Sequence, residues 1–402
     1  MSVVRNKMYR LPWSRTDNPG GWVEVTDVCD LSCPGCYRLN LGGHVPLDQI
    51  KSDVLKLQRW LNCDGIGIAG GEPLLYPHLV EVVEYISRQG LKPRILTNGQ
   101  NLSWDLARNL KKAGLTNISF HVDSQQNRSG WEGKTESEMN ELRQSYADFI
   151  WELGDVGCSF LTTIFRSTMN EIPDILAWAR ENSHKVSSIA LITFRGIPLT
   201  EDIIYLVNGE NIDPSNLRTA FADVREISIT AEEIFEIIES RFPGSHPAAY
   251  LNGAAVPESF KVLIIPYLGS KRRIFGNVGS KTIEFSQVMH HLFKGRYYLG
   301  LKKLVTGKKI FLMSVADPEV RKAFRSWLQT GLRNPLSFFD PLYVQTIQIQ
   351  QPKEVLDGET NTCDGCLNQM IYGDKIINSC RLDEYRLYGG PLVPMKSPKK
   401  AE

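Results

Sequence analysis

The sequence predicts an α/β fold, and three observations support this prediction. From residue 21 to about 242, short apolar segments alternate with amphipathic segments of helical periodicity. The alternation occurs six times, which is typical of parallel strands joined by right-handed crossovers. Six units are too few to close an eight-unit barrel. We therefore expect a partial (β/α)6 barrel of the TIM type, followed by a C-terminal α+β extension that carries a second metal site.

The six predicted strands are short and rich in β-branched or aromatic residues, as buried parallel strands should be. They are Trp22–Thr26, Gly65–Ala69, Arg94–Thr97, Asn117–Val122, Cys158–Phe165 and Ser188–Phe194.

The predicted helices place apolar residues on one face, as Ile50, Val54 and Leu57 do in the first. A fifth helix is predicted over 170–180. Thr230, with Glu233 three residues later, is typical of a capping box at the start of the sixth. The stretch 195–227 interrupts the alternation and is expected to cover the face at the strand C-termini, where such folds place their active sites.

Four regions are expected: an N-terminal extension (1–20), the barrel (21–242), a C-terminal region for substrate and an auxiliary metal (243–395), and a frayed Lys/Pro tail (396–402). Within the C-terminal region, residues 269–283 suggest a hairpin and 284–304 one or two helices.

Composition excludes several classes of protein. With 402 residues, 42% of them hydrophobic, and a formal charge of +1, the chain is neither disordered nor a dedicated nucleic-acid binder. Its apolar stretches are far shorter than the roughly 20 residues that span a bilayer, and its N-terminus lacks the apolar core of a signal peptide. We expect a soluble, cytoplasmic protein.

The eight cysteines form two tight clusters near opposite ends of the sequence and two isolated positions. Tight clusters in a large chain without a signal peptide favour metal or redox chemistry over disulfides. The isolated Cys63 and Cys158 lie beside or inside predicted strands and are expected to be small buried hydrophobic residues.

The first cluster, Cys29, Cys33 and Cys36, follows the first strand directly. A structural zinc site needs four ligands at close spacing, and no fourth ligand is adjacent. A cubane iron–sulfur cluster held by three thiolates instead leaves one iron open to a ligand.

This Cys-x3-Cys-x2-Cys spacing, followed by the aromatic Tyr37, resembles the signature of the radical S-adenosylmethionine (SAM) enzymes. Later segments agree with the resemblance: Gly70-Gly71-Glu72-Pro73 after the second strand, Thr97-Asn98-Gly99 after the third, and Asp123 after the fourth. The resemblance implies a [4Fe–4S] cluster whose open iron chelates SAM. Reduction then yields a 5′-deoxyadenosyl radical that abstracts hydrogen from the substrate.

The resemblance also implies roles for single residues. Gly70, Gly71 and Glu72 are expected to seat the methionine amino group. Other positions that match the SAM pocket are Tyr37, Asn98, His121, Asp123 and Arg166. His121 stands where relatives commonly have serine, so its contact with SAM departs from the pattern.

The second cluster has the spacing Cys-x2-Cys-x13-Cys, at Cys363, Cys366 and Cys380, with a predicted hairpin turn at 373–375. A shared metal is favoured over reduced structural thiols. Spacing alone does not decide between iron–sulfur and zinc, and the fourth ligand is unidentified. The radical SAM context favours an auxiliary iron–sulfur cluster.

The C-terminal half resembles the methylases of pterin precursors and the archaeal tetraether-lipid synthases. This resemblance implies hydrogen abstraction followed by C–C bond formation, methylation or rearrangement of a lipid or small metabolite, with ferredoxin or flavodoxin as reductant. The alternatives are a radical SAM enzyme that modifies peptides and a non-catalytic zinc-binding interaction protein.

Residues 281–309 contain seven Lys/Arg and one acidic residue, interleaved with aromatic and aliphatic residues. Such a segment is compatible with an anionic membrane surface or a phosphorylated substrate. A solvated helix with an apolar inner face is the favoured interpretation.

Overall fold

Twelve strands of the described chain form one extended mixed sheet with helices packed along its parallel part, and the other strands form small sheets of two or three strands. The computed structural model describes residues 4–300, 304–305, 307–356 and 358–397. The first eleven strands are β1 (Tyr9–Arg10), β2 (Gly20–Thr26), β3 (Gly65–Gly70), β4 (Lys92–Thr97), β5 (Asn117–His121), β6 (Gly157–Ile164), β7 (Val186–Thr193), β8 (Ile197–Pro198), β9 (Ile203–Val207), β10 (Glu210–Ile212) and β11 (Ala220–Phe221). The later strands are β12 (Ala249–Asn252), β13 (Phe260–Gly269), β14 (Ile274–Asn277), β15 (Leu304–Val305), β16 (Tyr343–Gln350), β17 (Glu354–Leu356), β18 (Glu359–Asn361), β19 (Gln369–Tyr372), β20 (Lys375–Asn378) and β21 (Val393–Lys396). The α-helices are α1 (Leu47–Leu61), α2 (Leu79–Arg88), α3 (Trp104–Lys112), α4 (Asn140–Leu153), α5 (Ile172–Glu181), α6 (Ala231–Arg241), α7 (Ser280–Lys294), α8 (Pro318–Arg333) and α9 (Leu382–Tyr388).

The predicted parallel strands are confirmed as β2 to β7, which lie side by side in chain order, each parallel to the next. The bounds differ from the predicted ones by only one or two residues. The fifth helix is α5, which begins two residues later than predicted because a 3₁₀ turn (Arg166–Glu171) precedes it. The capping box is present: Glu233 N donates to Thr230 Oγ1 at 3.2 Å and Thr230 N to Glu233 Oε2 at 2.7 Å.

The two faces of the parallel strands have different chemistry. The outer face carries fully buried apolar side chains that pack on the helices, such as Ile68, Ile95 and Ile118 against Leu57 and Val83. The inner face carries small and polar side chains together with a few large apolar ones, such as Leu96 and Leu161. The polar side chains that line interior cavities include Ser119, Ser159, Ser188, Gln348 and Gln350. The helices thus hold the sheet by hydrophobic burial, while the interior is left for ligands.

The sheet continues across the boundary predicted at 242/243. From the C-terminal half, β16 joins β7 as a seventh parallel strand, and β13 and β12 extend the sheet beyond it in antiparallel pairs. The predicted hairpin is present as β13 and β14, but α7 begins at Ser280, inside the predicted hairpin range. The reason is a distant cap: Asp317 accepts hydrogen bonds from Thr282 N at 3.0 Å and from Thr282 Oγ1 at 2.6 Å.

The favoured interpretation of the basic segment is wrong for α7, because most of the helix's apolar side chains lie on its outer face. Thr282 and Gln287 are its buried residues, whereas Leu292 and Phe293 are 71% and 74% exposed. Lys302 and Lys303 of the basic segment, and residues 398–402 of the predicted tail, lie outside the described residues. Within the described chain, no helix combines the length and apolarity needed to cross a bilayer.

The segment from 361 to 380 packs between two edges of the sheet. On one side, Cys363 forms a β-bridge to Gly253, just after β12. On the other, Leu367 packs against Gly20 of β2, where a Cβ would approach the Leu367 carbonyl oxygen to 2.7 Å. The hairpin of β19 and β20 packs on the same strand through Trp22. The second cysteine cluster therefore lies where the partial barrel would otherwise be open.

A buried guanidinium connects the two ends of the chain. Arg38 is 2% exposed and forms ion pairs with Glu24 at 2.6 Å, with Asp27 at 2.9 Å and with Asp383 of α9. Asp27 also pairs with Arg386 of α9 at 2.8 Å. Since the loop that carries Cys29, Cys33 and Cys36 runs from β2 to Arg38, this network fixes both of its ends against the C-terminal helix.

Replacing Arg38 with Met should destabilise the fold strongly, because buried carboxylates would lose their counter-charge. We expect a loss of about 3–5 kcal/mol in the free energy of unfolding, measured with urea. The control is Arg88→Met on α2, whose ion pair with Glu84 is exposed, with an expected change of at most about 0.5 kcal/mol. Equal losses in the two variants would contradict the proposed weight of the Arg38 network.

Candidate functional site

The loop after β2 brings three thiols to the wall of one cavity. Cys29, Cys33 and Cys36 all line this upper cavity, which has a volume of about 240 Å³. A tight turn shapes the loop, with Cys36 N donating to Cys33 O at 3.1 Å. Arg218, which lies in the stretch 195–227, also donates to the Cys33 carbonyl oxygen, at 2.9 Å. The backbone of the loop is therefore held from both sides.

The protein environment keeps these thiols protonated in the absence of metal. Burial raises the pKa of Cys29 to about 11 and that of Cys33 to about 12, and the Asp123 carboxylate adds to the effect on Cys33. Because a metal binds the thiolate, loading the site must release protons.

The donor set fits an iron–sulfur cubane better than a single ion. Among the described residues, no three His, Cys, Asp or Glu side chains lie close enough together to hold one metal ion. The thiolates of a cubane bind different iron atoms, so they need not converge on a point. Three cysteines of one loop on one cavity wall match that requirement.

The Gly70-Gly71-Glu72 segment pairs with the start of the cysteine loop. Gly71 N donates to Thr26 O at 2.6 Å, and Glu72 N donates to Val28 O at 2.7 Å. A Cβ on Gly70 or Gly71 would collide with this backbone, and Gly70 also has a positive φ of 139°. Glycine is thus required at both positions because their backbone lies against the backbone of the cysteine loop. Both glycines also line the upper cavity.

Glu72 is buried and its carboxylate is already hydrogen-bonded within the protein. It accepts from Thr97 Oγ1 at 2.6 Å, from Asn98 N at 2.7 Å and from Leu74 N at 2.9 Å. Burial nevertheless raises its pKa to about 7. The carboxylate therefore fixes the turn after β4, in addition to any ligand that it meets in the cavity.

Four other predicted cofactor-binding residues line the upper cavity: Tyr37, Asn98, His121 and Asp123. His121 Nε2 lies 3.1 Å from Asp123 Oδ2 and 3.0 Å from Thr163 Oγ1. The Tyr37 hydroxyl donates to Glu24 Oε1 at 3.3 Å, and burial raises the Tyr37 pKa well above its usual value.

The structure does not bring Arg166 to this cavity. Its guanidinium pairs with Glu233 at 2.6 Å and donates to Ser228 Oγ at 3.1 Å and to Arg225 O at 3.2 Å. The expectation that Arg166 contacts SAM is therefore not supported. The side chain is occupied because the start of α6 packs beside the 3₁₀ turn, which sequence spacing could not reveal.

Several cavity residues carry no motif and were not predicted individually. Phe165, Phe194 and Phe221 form an apolar wall, in which the Phe194 ring contacts the rings of both Phe165 and Phe221. Phe221 comes from the stretch 195–227, so the predicted contribution of this stretch to the active face is confirmed. Cationic side chains on the cavity wall are Arg38, Arg195, Arg218 and Lys353.

The second cysteine cluster lies in the wall between two cavities. Cys380 lines the upper cavity, whereas Cys363 and Cys366 line a lower cavity of about 60 Å³. The predicted hairpin between these cysteines is confirmed as β19 and β20. Its base is closed by Ser379 N donating to Asn368 O at 2.8 Å.

Two thiols of this cluster interact directly. A hydrogen bond from the Cys366 thiol lowers the pKa of Cys363, and the nearby Lys261 ammonium lowers it further, against the effect of burial. Of these two thiols, Cys363 is thus the more acidic. Burial raises the pKa of Cys380. The two isolated cysteines, Cys63 and Cys158, are buried at 1% exposure as expected.

Comparison with known families identifies the N-terminal half. Residues 23–217 match the family model described as the Radical SAM superfamily. This part of the chain belongs to the radical SAM superfamily. Enzymes of this superfamily use a [4Fe–4S] cluster and SAM, so the loop with Cys29, Cys33 and Cys36 in the radical SAM domain is the candidate cluster site.

The chain is similar to several curated radical SAM enzymes. It is 31% identical over 109 residues to the GTP 3′,8-cyclase of Alkaliphilus oremlandii, covering 25% of this chain and 34% of the relative. It is 26% identical over 174 residues to the GTP 3′,8-cyclase of Marinobacter nauticus, covering 42% of this chain and 52% of the relative. It is 27% identical over 172 residues to the AdoMet-dependent heme synthase of Methanosarcina barkeri, covering 39% of this chain and 46% of the relative. The chain thus spans about a third to about half the length of these relatives.

Solved structures with local similarity include Streptococcus suis SuiB bound to S-adenosylmethionine, at 15% identity and a TM-score of 0.38. The match covers 56% of this chain and 47% of SuiB. Native anSMEcpe with bound AdoMet has 15% identity and a TM-score of 0.35, covering 43% of this chain and 51% of anSMEcpe.

The buried Glu72 of the radical SAM domain should make folding stability pH-dependent. Because its pKa is raised in the folded state, the folded protein holds a proton between about pH 4.5 and 7 that the unfolded chain has lost. Stability should therefore fall as pH rises through this window, by on the order of 3 kcal/mol in total. Glu72→Gln removes this contribution.

The measurement is the free energy of unfolding of the wild-type protein and of Glu72→Gln, both without metal, at a series of pH values. Contributions of other groups cancel in the difference between the two proteins. The wild type should lose stability relative to the variant from pH 4.5 to 7.5. A difference that is constant with pH would show that Glu72 ionises normally.

Proposed function

We propose that this protein is a radical SAM enzyme in which Cys29, Cys33 and Cys36 hold the [4Fe–4S] cluster and the Gly70-Gly71-Glu72 turn, Asn98 and Asp123 border the SAM site. The observation that carries the proposal is the upper cavity, which is lined by all three thiols together with these residues. When bound, the cluster and SAM supply a 5′-deoxyadenosyl radical that takes a hydrogen atom from the substrate.

The chain's own residues hold and shield this chemistry. Arg38 and Arg218 fix the cysteine loop through ion pairs and a carbonyl hydrogen bond. The aromatic wall of Phe165, Phe194 and Phe221 makes one side of the cavity apolar. His121 is held between Asp123 and Thr163, so its ring has a fixed orientation at the cavity wall.

The second cysteine cluster is proposed to hold an auxiliary iron–sulfur cluster. Support comes from the burial of Cys366 and the partial burial of Cys363 and Cys380. It also comes from the thiol hydrogen bond between Cys363 and Cys366 and from the nearby Lys261, which would offset the charge of thiolates. Because Cys380 reaches the upper cavity, this centre would border the substrate. We propose that the substrate is a small metabolite or lipid that undergoes C–C bond formation, methylation or rearrangement, with an electron-transfer protein as reductant.

Separate replacement of the two clusters tests these assignments. After anaerobic reconstitution, the triple Cys→Ala variant at positions 29, 33 and 36 should lose about four iron atoms per chain and form no 5′-deoxyadenosine from SAM and dithionite. The triple Cys→Ala variant at 363, 366 and 380 should also lose about four iron atoms but still cleave SAM. Cys63→Ala is the control and should keep the full iron content.

Two results would contradict the proposal. Wild-type protein that binds zinc in place of iron and forms no 5′-deoxyadenosine would indicate the non-catalytic zinc protein. Iron content that is unchanged in the variant at 363, 366 and 380 would exclude the auxiliary cluster while leaving the radical SAM assignment intact.

We propose further that α7 contacts an anionic membrane surface. Four apolar residues of this helix expose about half to three quarters of their area: Phe285, Val288, Leu292 and Phe293. Contact with water does not stabilise such a group of apolar side chains, and exposed apolar patches of this kind mark interaction sites. Lys281 and Lys294 lie on the same helix and are exposed. An exposed apolar helix surface flanked by cations fits the interface of a bilayer with anionic headgroups.

Vesicle sedimentation tests this contact. Wild-type protein should bind vesicles of phosphatidylcholine mixed with phosphatidylglycerol, and bind pure phosphatidylcholine vesicles less well. The double variant Leu292→Ser, Phe293→Ser should bind at least about tenfold more weakly, since two large apolar side chains no longer enter the interface. Leu55→Ser on α1, where Leu55 is 45% exposed, is the matched control. Binding that is unaffected by the double variant, or self-association through α7 without vesicle binding, would refute the contact.

A further inference from the structure

The lower cavity is a chamber inside the curved sheet, with both polar and apolar residues in its lining. Parallel strands β4 to β7 form one wall, and β12, β13 and β16 form the other. Its volume of about 60 Å³ has room for roughly four waters, and hence for a group the size of a carboxylate or phosphate. Four wall residues, Leu96, Leu161, Gln350 and Asn368, also line the upper cavity, so the two spaces are neighbours.

Arg94 of β4 is the cation in this chamber. Its Nε is buried and has no hydrogen-bond partner, and no described residue forms an ion pair with its guanidinium. Burial lowers its pKa to about 10, which still leaves it charged at neutral pH. A charge in this environment is costly unless it is paired.

Among the described residues, the cations that are buried as whole residues are compensated. Arg128 donates to the carbonyl oxygens of Asn98 and His121 at 2.8 and 2.7 Å. The remaining buried cations pair with carboxylates, namely Arg38 with Glu24, Arg143 with Glu136, Lys261 with Glu354 and Lys353 with Glu384. Arg94 departs from this pattern, in a cavity lined by hydroxyl, amide, thiol and apolar side chains.

These neighbours suit an oxyanion. Gln348 and Gln350 bring side-chain amide groups that can donate hydrogen bonds. Serine hydroxyls also line the chamber, but Ser119 Oγ donates to Asn117 Oδ1 and Ser188 Oγ donates to Ser159 Oγ, both at 2.9 Å. In the part of the chain that the structure describes, no Asp or Glu lines the chamber. A guanidinium among neutral donors, without a competing carboxylate, is the arrangement that binds carboxylate or phosphate groups.

We propose that Arg94 binds an oxyanion group, a carboxylate or phosphate, at one end of the substrate whose reacting part lies in the upper cavity. The position of the reacting part rests on the proposed function, whereas the oxyanion site itself rests on the lower cavity alone. Because Cys363 and Cys366 share this chamber, the bound group would also lie beside the proposed auxiliary centre.

Thermal unfolding of the reconstituted protein with simple anions tests the site. Sodium phosphate and sodium acetate are compared with sodium chloride at equal ionic strength, without SAM or reductant. Phosphate, acetate or both should raise the Tm of the wild type by roughly 2 °C or more at a hundredfold excess over Kd. A shift with one anion alone identifies which oxyanion the site prefers.

Variants at position 94 decide whether the shift belongs to this cavity. Arg94→Gln should abolish the anion-dependent shift and should not lower the Tm measured in chloride, because it removes an unpaired buried charge. Arg94→Lys should keep a smaller shift, since it retains the charge without the two-pronged geometry. Arg88→Gln, an exposed arginine on α2, should shift as the wild type does.

Three results would overturn the proposal. They are the absence of a shift with either anion, an equal shift in Arg94→Gln, and a lowered Tm in chloride for both position-94 variants, which would indicate a structural role. A missing anion shift combined with an altered electron paramagnetic resonance signal in Arg94→Gln would instead make Arg94 the counter-charge of the auxiliary centre. None of these results depends on 5′-deoxyadenosine formation, so failure of the oxyanion site is distinguishable from failure of the proposed enzyme activity.

Discussion

The ion pairs of Arg38 are the constraint on which the candidate active site depends. One guanidinium, 2% exposed, binds Glu24 of β2, Asp27 at the start of the cysteine loop and Asp383 of α9. These buried carboxylates depend on the one guanidinium between them, since a buried charge without a counter-charge is costly. The N-terminal loop and the C-terminal helix are therefore positioned together, and the upper cavity forms between them.

The same C-terminal region also completes the barrel. A sheet with six parallel strands leaves an opening, and here β16, β13 and β12 extend the sheet while the segment 361–380 packs between β12 and β2. The strands direct most of their large apolar residues to the helices and small or polar residues inward, where apolar side chains such as Leu96 and Leu161 also line the cavities. This division explains how one sheet can contain two adjoining cavities, with the second cysteine cluster in the wall between them.

The parts of the site that could be predicted from sequence are those carried by short, contiguous motifs. Cys29, Cys33 and Cys36 lie in one loop, and the Gly70-Gly71-Glu72 turn must approach that loop because β2 and β3 are neighbours. Arg166 shows the limit of such reasoning, since its guanidinium is taken by Glu233, 67 residues away in sequence. The start of α7 could not be predicted from the sequence either, because it depends on the distant Asp317. The exposure of the apolar residues of α7 likewise depends on which elements pack beside the helix.

The sequence by itself determined the α/β alternation, the order of the parallel strands and the two sets of cysteines, because periodicity and spacing are local properties of the chain. Only the tertiary structure decided that a C-terminal strand joins the parallel sheet, that the second cysteine set borders both cavities, and that Arg94 stands unpaired in the lower one. Each of these depends on contacts between residues far apart in sequence. Pairing of a buried charge, in particular, is a property of the space around it, which no local pattern encodes.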